Sequence, residues 1–463
     1  MQGPESEPQV PNPQPQTRQD LPRVIGSLGS TALVVGTIIG SGIFLIPHDV
    51  ATQVGSVTSM MLVWIVGGVL SLAGALSLGE LGAATPEAGG VYVYLRQAYG
   101  KLFAFLYGWA ALAVIESGGI ATLAVAFSIY SRSFLPLTLL QQKLVASAVI
   151  AVLTVVNVLG VRKGTAVQTV FTFAKLAGLA VIIGFAVFFQ GERASAASLT
   201  LPMPHTTLST FGVALIGVLW AYHGWHHLAY AAGEVRNPER VLPRSYLVGT
   251  LLVVAVYLAA NLAYLRVLPL PTLASDPYQP VAARTMEILW GPRGAAFVSA
   301  LILCSIFGAL NGNILGGARA YFAMARDGVF FAAVGRVHPR FETPALAIGV
   351  QGAWAILLAI SGTYKQLYTY VIFTAWIFYA AAILAVVILR HRRPDLHRPY
   401  RVWGYPVLPV AFSLAALAIV GNTLVRSPRE SSMGLGLVLV GIPLYFAWQA
   451  LAGKNQRADR SRQ

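Results

Sequence analysis

The sequence predicts an all-α membrane protein of about 12 transmembrane helices, arranged as a five-plus-five inverted repeat with two helices appended. Three observations carry this. Of 463 residues, 56% are hydrophobic and only 11% charged, where a soluble protein has roughly 25% charged residues. Apolar windows long enough to span a bilayer recur along the chain. Two of them, the first and the sixth, are interrupted by glycine: Gly40-Ser41-Gly42, and Tyr222-His223-Gly224-Trp225. Backbone groups inside a bilayer must be paired, so a broken helix at that depth makes sense where the freed groups line a cavity. Paired interruptions of this kind in two halves of a chain point to a transporter binding site.

The windows lie near residues 27–48, 57–81, 99–130, 141–160, 166–189, 208–232, 245–267, 281–325, 344–361, 367–390, 406–426 and 433–451. The eighth is too long for one span and is expected to continue as a cytoplasmic helix. The breaks are five spans apart, in spans one and six, so the halves must have opposite orientations. Repeat one is expected over about 27–190, repeat two over about 208–391, and the extra helices over about 406–451, within a transporter domain at 23–452. Residues 1–22, rich in Pro and Gln, read as a disordered cytoplasmic tail, and 453–463 as a second cytoplasmic tail.

The formal charge of +15 would suggest nucleic acid in a soluble domain. Here most Lys and Arg fall on alternate loops, among them Arg162, Lys163, Arg236, Arg240, Arg244, Arg336, Arg340, Arg390, Arg392 and Arg393. The positive-inside rule then places both termini in the cytoplasm, and no nucleic-acid partner is expected. The expected location is the cell membrane, a prokaryotic inner membrane, with the lipid bilayer as surroundings. Cys304 is the only cysteine, so no internal disulfide can form. The sequence lacks GxxxxGK[ST], HExxH, GxSxG and TVGYG, which argues against ATP-driven transport, an enzyme and a potassium channel. No cofactor is expected.

Each break offers chemistry. Beyond Gly42 the helix restarts, and its first N–H groups form an anion site reinforced by the helix dipole. Ser41 adds a hydroxyl, and Gly40 and Gly42 admit a ligand close to the backbone. Carbonyls near Ile38 and Ile39 can accept from an ammonium, as can those near Trp220 and Ala221 at the second break. That pairing of opposite polarities suits a zwitterionic α-amino acid. Histidine within a span is rare and marks function by default, which singles out His223, His226 and His227. The same rule flags Lys175 and Glu116. His223 and His227 have a spacing of four, but they straddle the break, so helical spacing cannot be assumed and no metal ligand is assigned. Asn311 and Asn313 either face the pocket or bond between helices.

Several stretches carry a resemblance: GTIIGSGIFLIP (36–47), ELGAATPEAGGVYVYLRQAYG (80–100), AYHGWHHLAYAAGEVRNPERVLPRS (221–245), GALNGNILGGARAYFAMARDGVFF (308–331) and RPYRVWGYPVLP (398–409). In this order they resemble the amino acid–polyamine–organocation (APC) superfamily, closest to its L-type amino-acid transporter branch, over about residues 24–450. The resemblance implies the LeuT-like fold and a carboxylate role for Gly40, Ser41 and Gly42. It implies an aromatic cover at Trp220, and at Lys175 the lysine that fills the sodium position of coupled relatives. His223 and His226 depart from the usual family residues, and the missing carboxylate at 226 argues against a cationic substrate. Glu116 has no usual family counterpart and is a candidate for proton coupling with a histidine. Glu80, Glu87, Glu234, Arg236, Glu239, Arg240, Arg326 and Asp327 are candidates for ion pairs of an inner gate.

The expected function is sodium-independent secondary transport of neutral L-amino acids by alternating access, as an exchanger or proton-coupled. The alternatives are a polyamine or amine antiporter and an amino-acid sensor. The loop Ser131-Arg132-Ser133 has no cysteine, so no disulfide-linked heavy chain is expected; a homo-oligomer is left open.

Overall fold

The computed structural model describes residues 21–188, 205–275 and 280–460. Most of the expected N-terminal tail and residues 461–463 lie outside them. Among the described residues the chain is helical, apart from one isolated parallel bridge between Ile25 and Val235. Ten helical segments are long and apolar enough to cross a membrane, and two shorter apolar helices, Leu208–Ala221 and Ala345–Ser361, fill the remaining windows. This is a multi-pass membrane protein with the LeuT-like arrangement.

Both interruptions are real. The first span is α1 (Ser27–Ile38) and α2 (Gly42–Ala51), joined by Ile39, whose backbone is extended, with Gly40 and Ser41. The sixth is α9 (Leu208–Ala221) and α10 (His227–Tyr230), separated by a turn that Gly224 closes at φ 125°. Between them lie α3 (Val57–Ala84), α4 (Val91–Tyr99), α5 (Lys101–Ala110), α6 (Glu116–Ser131), α7 (Leu139–Val158) and α8 (Val161–Phe188). The second half continues with α11 (Pro238–Val267), α12 (Leu270–Ser275), α13 (Val281–Trp290), α14 (Pro292–Arg326), α15 (Ala345–Ser361) and α16 (Tyr364–Arg392). The appended pair is α17 (Val407–Arg426) and α18 (Pro428–Arg460). Thus α18 runs past residue 452, where a tail was expected.

Equivalent helices of the halves pack together, α3 on α11 and α6 on α14. The half-helices cross, α1 against α10 and α2 against α9. A methyl group on Gly42 would lie 2.4 Å from the Ala221 Cα, so the two breaks touch backbone to backbone.

The overlong eighth window is divided, which corrects the expectation of one continuous helix. Gly291 adopts φ 67° and Pro292 opens α14, because glycine takes the left-handed conformation and proline suits a first helical turn. The first part of the excess is therefore a separate helix, at the end opposite Arg326. At 35 residues, α14 is about 50 Å long and still exceeds the ~30 Å apolar layer.

Ion pairs gather at the Arg326 end of the bundle. Asp327 receives Arg96 at 2.5 Å, and Arg96 also reaches Glu87 at 3.0 Å. Glu80 pairs with Arg390 at 2.6 Å and accepts from the Val402 N–H. Glu234 and Arg319, both fully buried, meet at 2.8 Å. The candidate gate acids Glu80, Glu87, Glu234 and Asp327 are therefore paired, with Arg390, Arg96 and Arg319.

Candidate functional site

The first break is held open by side chains that replace the lost helical hydrogen bonds. Lys175, from α8, is fully buried and donates to the carbonyls of Gly36 and Ser305, both at 2.9 Å, and of Ile39. Its side-chain nitrogen sits at the C-terminal end of α1, where the helix dipole favours a cation. The Ser305 hydroxyl, from α14, reaches the carbonyls of Ile39 at 3.2 Å and Gly40 at 3.0 Å. A hydroxyl has a single proton, which the carbonyls of Ile39 and Gly40 share.

Two contacts tie the breaks to each other. The Thr37 hydroxyl is 3.0 Å from the Gly224 carbonyl. The Tyr257 hydroxyl, from α11, lies 3.1 Å from the Ile38 carbonyl and 3.0 Å from that of Ala221. The carbonyls of Ile38 and Ala221 each retain a second lone pair, whereas that of Gly224 also accepts from the His227 N–H at 3.0 Å.

A small cavity, partly open to solvent, lies against the breaks. Thr37, Ile38, Gly40, Ser41 and Gly42 form one side, Trp220 and His223 another, and Leu123 and Asn313 the rest. Trp220 donates to the Tyr364 hydroxyl at 3.0 Å, and that hydroxyl is 3.1 Å from Ser41. One tyrosine at the start of α16 thus bridges the two broken spans. Trp220 stacks on His223 and Tyr368, with ring centroids 5.7 Å and 6.1 Å apart.

The second break has its own polar anchor. A π-helical turn, Ala111–Ile115, precedes Glu116 and shifts the phase of the third span, as such bulges do near functional sites. The buried Glu116 accepts from the Tyr230 hydroxyl at 2.8 Å, and its Oε1 is 3.2 Å from His226 Nε2. The other nitrogen of His226 is 2.9 Å from the Tyr379 hydroxyl of α16. The arrangement mirrors the first break through the repeat. Lys175 of span five and Ser305 of span eight hold span one. Tyr379 of span ten and Glu116 of span three hold span six.

The amino acid permease family profile matches residues 25–442. The chain belongs to that family. It is 34% identical to the serine/threonine exchanger SteT of Bacillus subtilis, covering 92% of this chain and 97% of that protein. It is 33% identical to the mouse b(0,+)-type amino acid transporter 1, over 92% and 88% of the two chains. Against the human cystine/glutamate transporter it is 30% identical, over 95% and 88%. The family is one of permeases, and these relatives are named as transporters and exchangers rather than enzymes.

Of the residues singled out from sequence, Ile38, Gly40, Ser41, Gly42, Trp220 and His223 line the cavity of this permease. Ile39, Ala221 and His226 stand behind it, the last turned toward Glu116. Asn313 faces the cavity, whereas Asn311 bonds to Asn157 at 2.9 Å and to the Gly164 carbonyl. Tyr364, Tyr257, Ser305 and Arg319 were not singled out. Tyrosines and serines are common in membrane helices, and nothing local in the sequence distinguishes these. Arg319 alone carried a signal, being a charge within the eighth apolar window.

Proposed function

We propose that this permease is a sodium-independent secondary transporter of neutral L-amino acids, working by exchange around the cavity between the two breaks. The observation that carries the reading is the pairing of the α2 N-terminus with spare carbonyl lone pairs at Ile38 and Ala221. A carboxylate is favoured at the former, and an ammonium at the latter. Leu123, Asn313 and His223 then meet the side chain, a neutral surface with no carboxylate, which disfavours polyamines and cationic amino acids. Lys175 already supplies a cation to the carbonyls of spans one and eight, so sodium has no place to fill there. Trp220, with Tyr364, closes over the substrate. The exchange reading is supported by the one reported relative named as an exchanger, the serine/threonine exchanger of Bacillus subtilis; proton coupling through Glu116 is the competing mode. The cell membrane with both termini cytoplasmic is the proposed setting, without a disulfide-linked partner.

Proteoliposomes test this directly. Uptake of labelled neutral amino acids in sodium-free buffer is expected to rise at least tenfold when unlabelled neutral amino acid is loaded inside. Uptake into empty vesicles that follows an inward proton gradient would replace exchange with proton coupling. Uptake of polyamines alone would overturn the substrate class.

A further inference from the structure

The Glu116 cluster holds more than hydrogen bonds account for. Oε1 of Glu116 is served by Tyr230 and His226. Oε2 lies 3.1 Å from His227 Nε2, yet neither atom completes a hydrogen bond, and His227 Nδ1 is also without a partner. All three side chains are at most 1% exposed. A carboxylate and two imidazoles thus converge, unevenly satisfied, in the buried interior, where an unpaired polar atom costs about 1–3 kcal/mol.

We propose that Glu116, His226 and His227 form a binding site for a divalent transition-metal ion of the zinc class. One ligand atom from each residue lies within 4.8 Å of the others. Zinc holds imidazole nitrogen at about 2.0–2.1 Å and carboxylate oxygen at about 2.0–2.2 Å. Tetrahedral ligands around it are then roughly 3.3–3.5 Å apart, a small adjustment from the distances present. Imidazole with carboxylate suits zinc, nickel, copper and cobalt rather than calcium or magnesium.

The surroundings are shaped for these groups. Gly316 and Gly317 of α14 face the cluster: a methyl group on Gly316 would lie 3.1 Å from His227 Cδ2. One on Gly317 would lie 3.1 Å from Glu116 Oε2. Tyr379 against His226 Nδ1 provides the outer hydrogen bond that orients a metal-binding imidazole through its other nitrogen. His223, at the cavity wall and 4.7 Å from the His226 ring centroid, marks the route of entry. Sequence spacing pointed only at His223 and His227. The break and the π-helical turn instead select the pair His226 and His227 with Glu116. An ion here would clamp the second half of span six to span three, and so arrest any movement of the break against that span.

The site stands apart from the question of which amino acid is carried, and metal binding can be read without transport. Purified full-length protein in detergent, dialysed against Zn²⁺, is expected to bind one ion per chain at micromolar concentration or below. Co²⁺ in its place should give the visible absorption of a low-symmetry four- or five-coordinate site. Glu116→Gln and His227→Gln are each expected to weaken binding at least 100-fold, and Tyr379→Phe about tenfold. The exposed His391→Gln should bind as the parent does. Size-exclusion profiles establish that each variant is folded, and Tyr379→Phe retains all three ligands should the others fail to fold. No stoichiometric ion on the parent protein would overturn the proposal. So would binding unchanged in Glu116→Gln and His227→Gln.

Discussion

Gly42→Ala is expected to weaken substrate binding sharply, because the added methyl would lie 2.4 Å from the Cα and 2.7 Å from the Cβ of Ala221. The clash is with backbone, so no rotamer change relieves it. Overpacking of this kind costs typically 1–3 kcal/mol, and here the strain is spent on separating the two broken spans. The carboxylate and ammonium subsites move apart together. Affinity for the amino acid should fall at least tenfold, and uptake with it. Gly349→Ala is the matched control, since nothing lies within 4 Å of the added group and alanine favours the helix by up to ~1 kcal/mol. Equilibrium binding of labelled substrate to both variants decides it. Equal affinity in Gly42→Ala would mean that the contact between the breaks does not shape the site.

Lys175→Met should be as severe by a different route. Methionine keeps the apolar length of the side chain and removes the ammonium. The carbonyl of Gly36 loses its lysine donor, and that of Ile39 keeps only the Ser305 hydroxyl. Each buried polar group left unmet costs about 1–3 kcal/mol. The bend between α1 and α2 is then free to close toward a continuous helix. Uptake is expected to drop more than tenfold, with a lowered apparent Tm in detergent. Lys175→Arg should not restore it, because a planar fork does not replace a point charge among carbonyls. Undiminished uptake by Lys175→Met would show that the break keeps its shape without the cation.

Much of this architecture was legible in the sequence because a bilayer imposes simple rules. Apolar windows mark spans, and glycine at a matched place in each half marks a break. Gly40 to Gly42 and His223 were readable for that reason: each lies in the interruption itself, whereas the covering role of Trp220, in the last turn of α9, was implied by the family resemblance. The division of the eighth window had a local signal too, Gly291-Pro292, hidden by the hydrophobicity around it. Tyr364 and Ser305 were not readable, because each reaches the breaks across more than a hundred residues of chain, and Tyr257, 36 residues from Ala221, carries no signature either. His226 shows the limit of spacing. Once a helix is interrupted, the direction of the next side chain depends on the turn, and here the turn sends it away from the cavity toward Glu116. The partners of the gate acids were obscured likewise, since Arg319 and Arg390 come to them from distant helices.

The central claim is that the two breaks read the head group of an amino acid, carboxylate on one and ammonium between both. Competition against uptake of the transported amino acid tests it most directly, using that amino acid, its methyl ester, its N-acetyl derivative and the corresponding amine. The account predicts that the unlabelled amino acid competes, whereas each of the three altered head groups competes at least tenfold more weakly. An amine or ester that competes as well as the intact amino acid would contradict it.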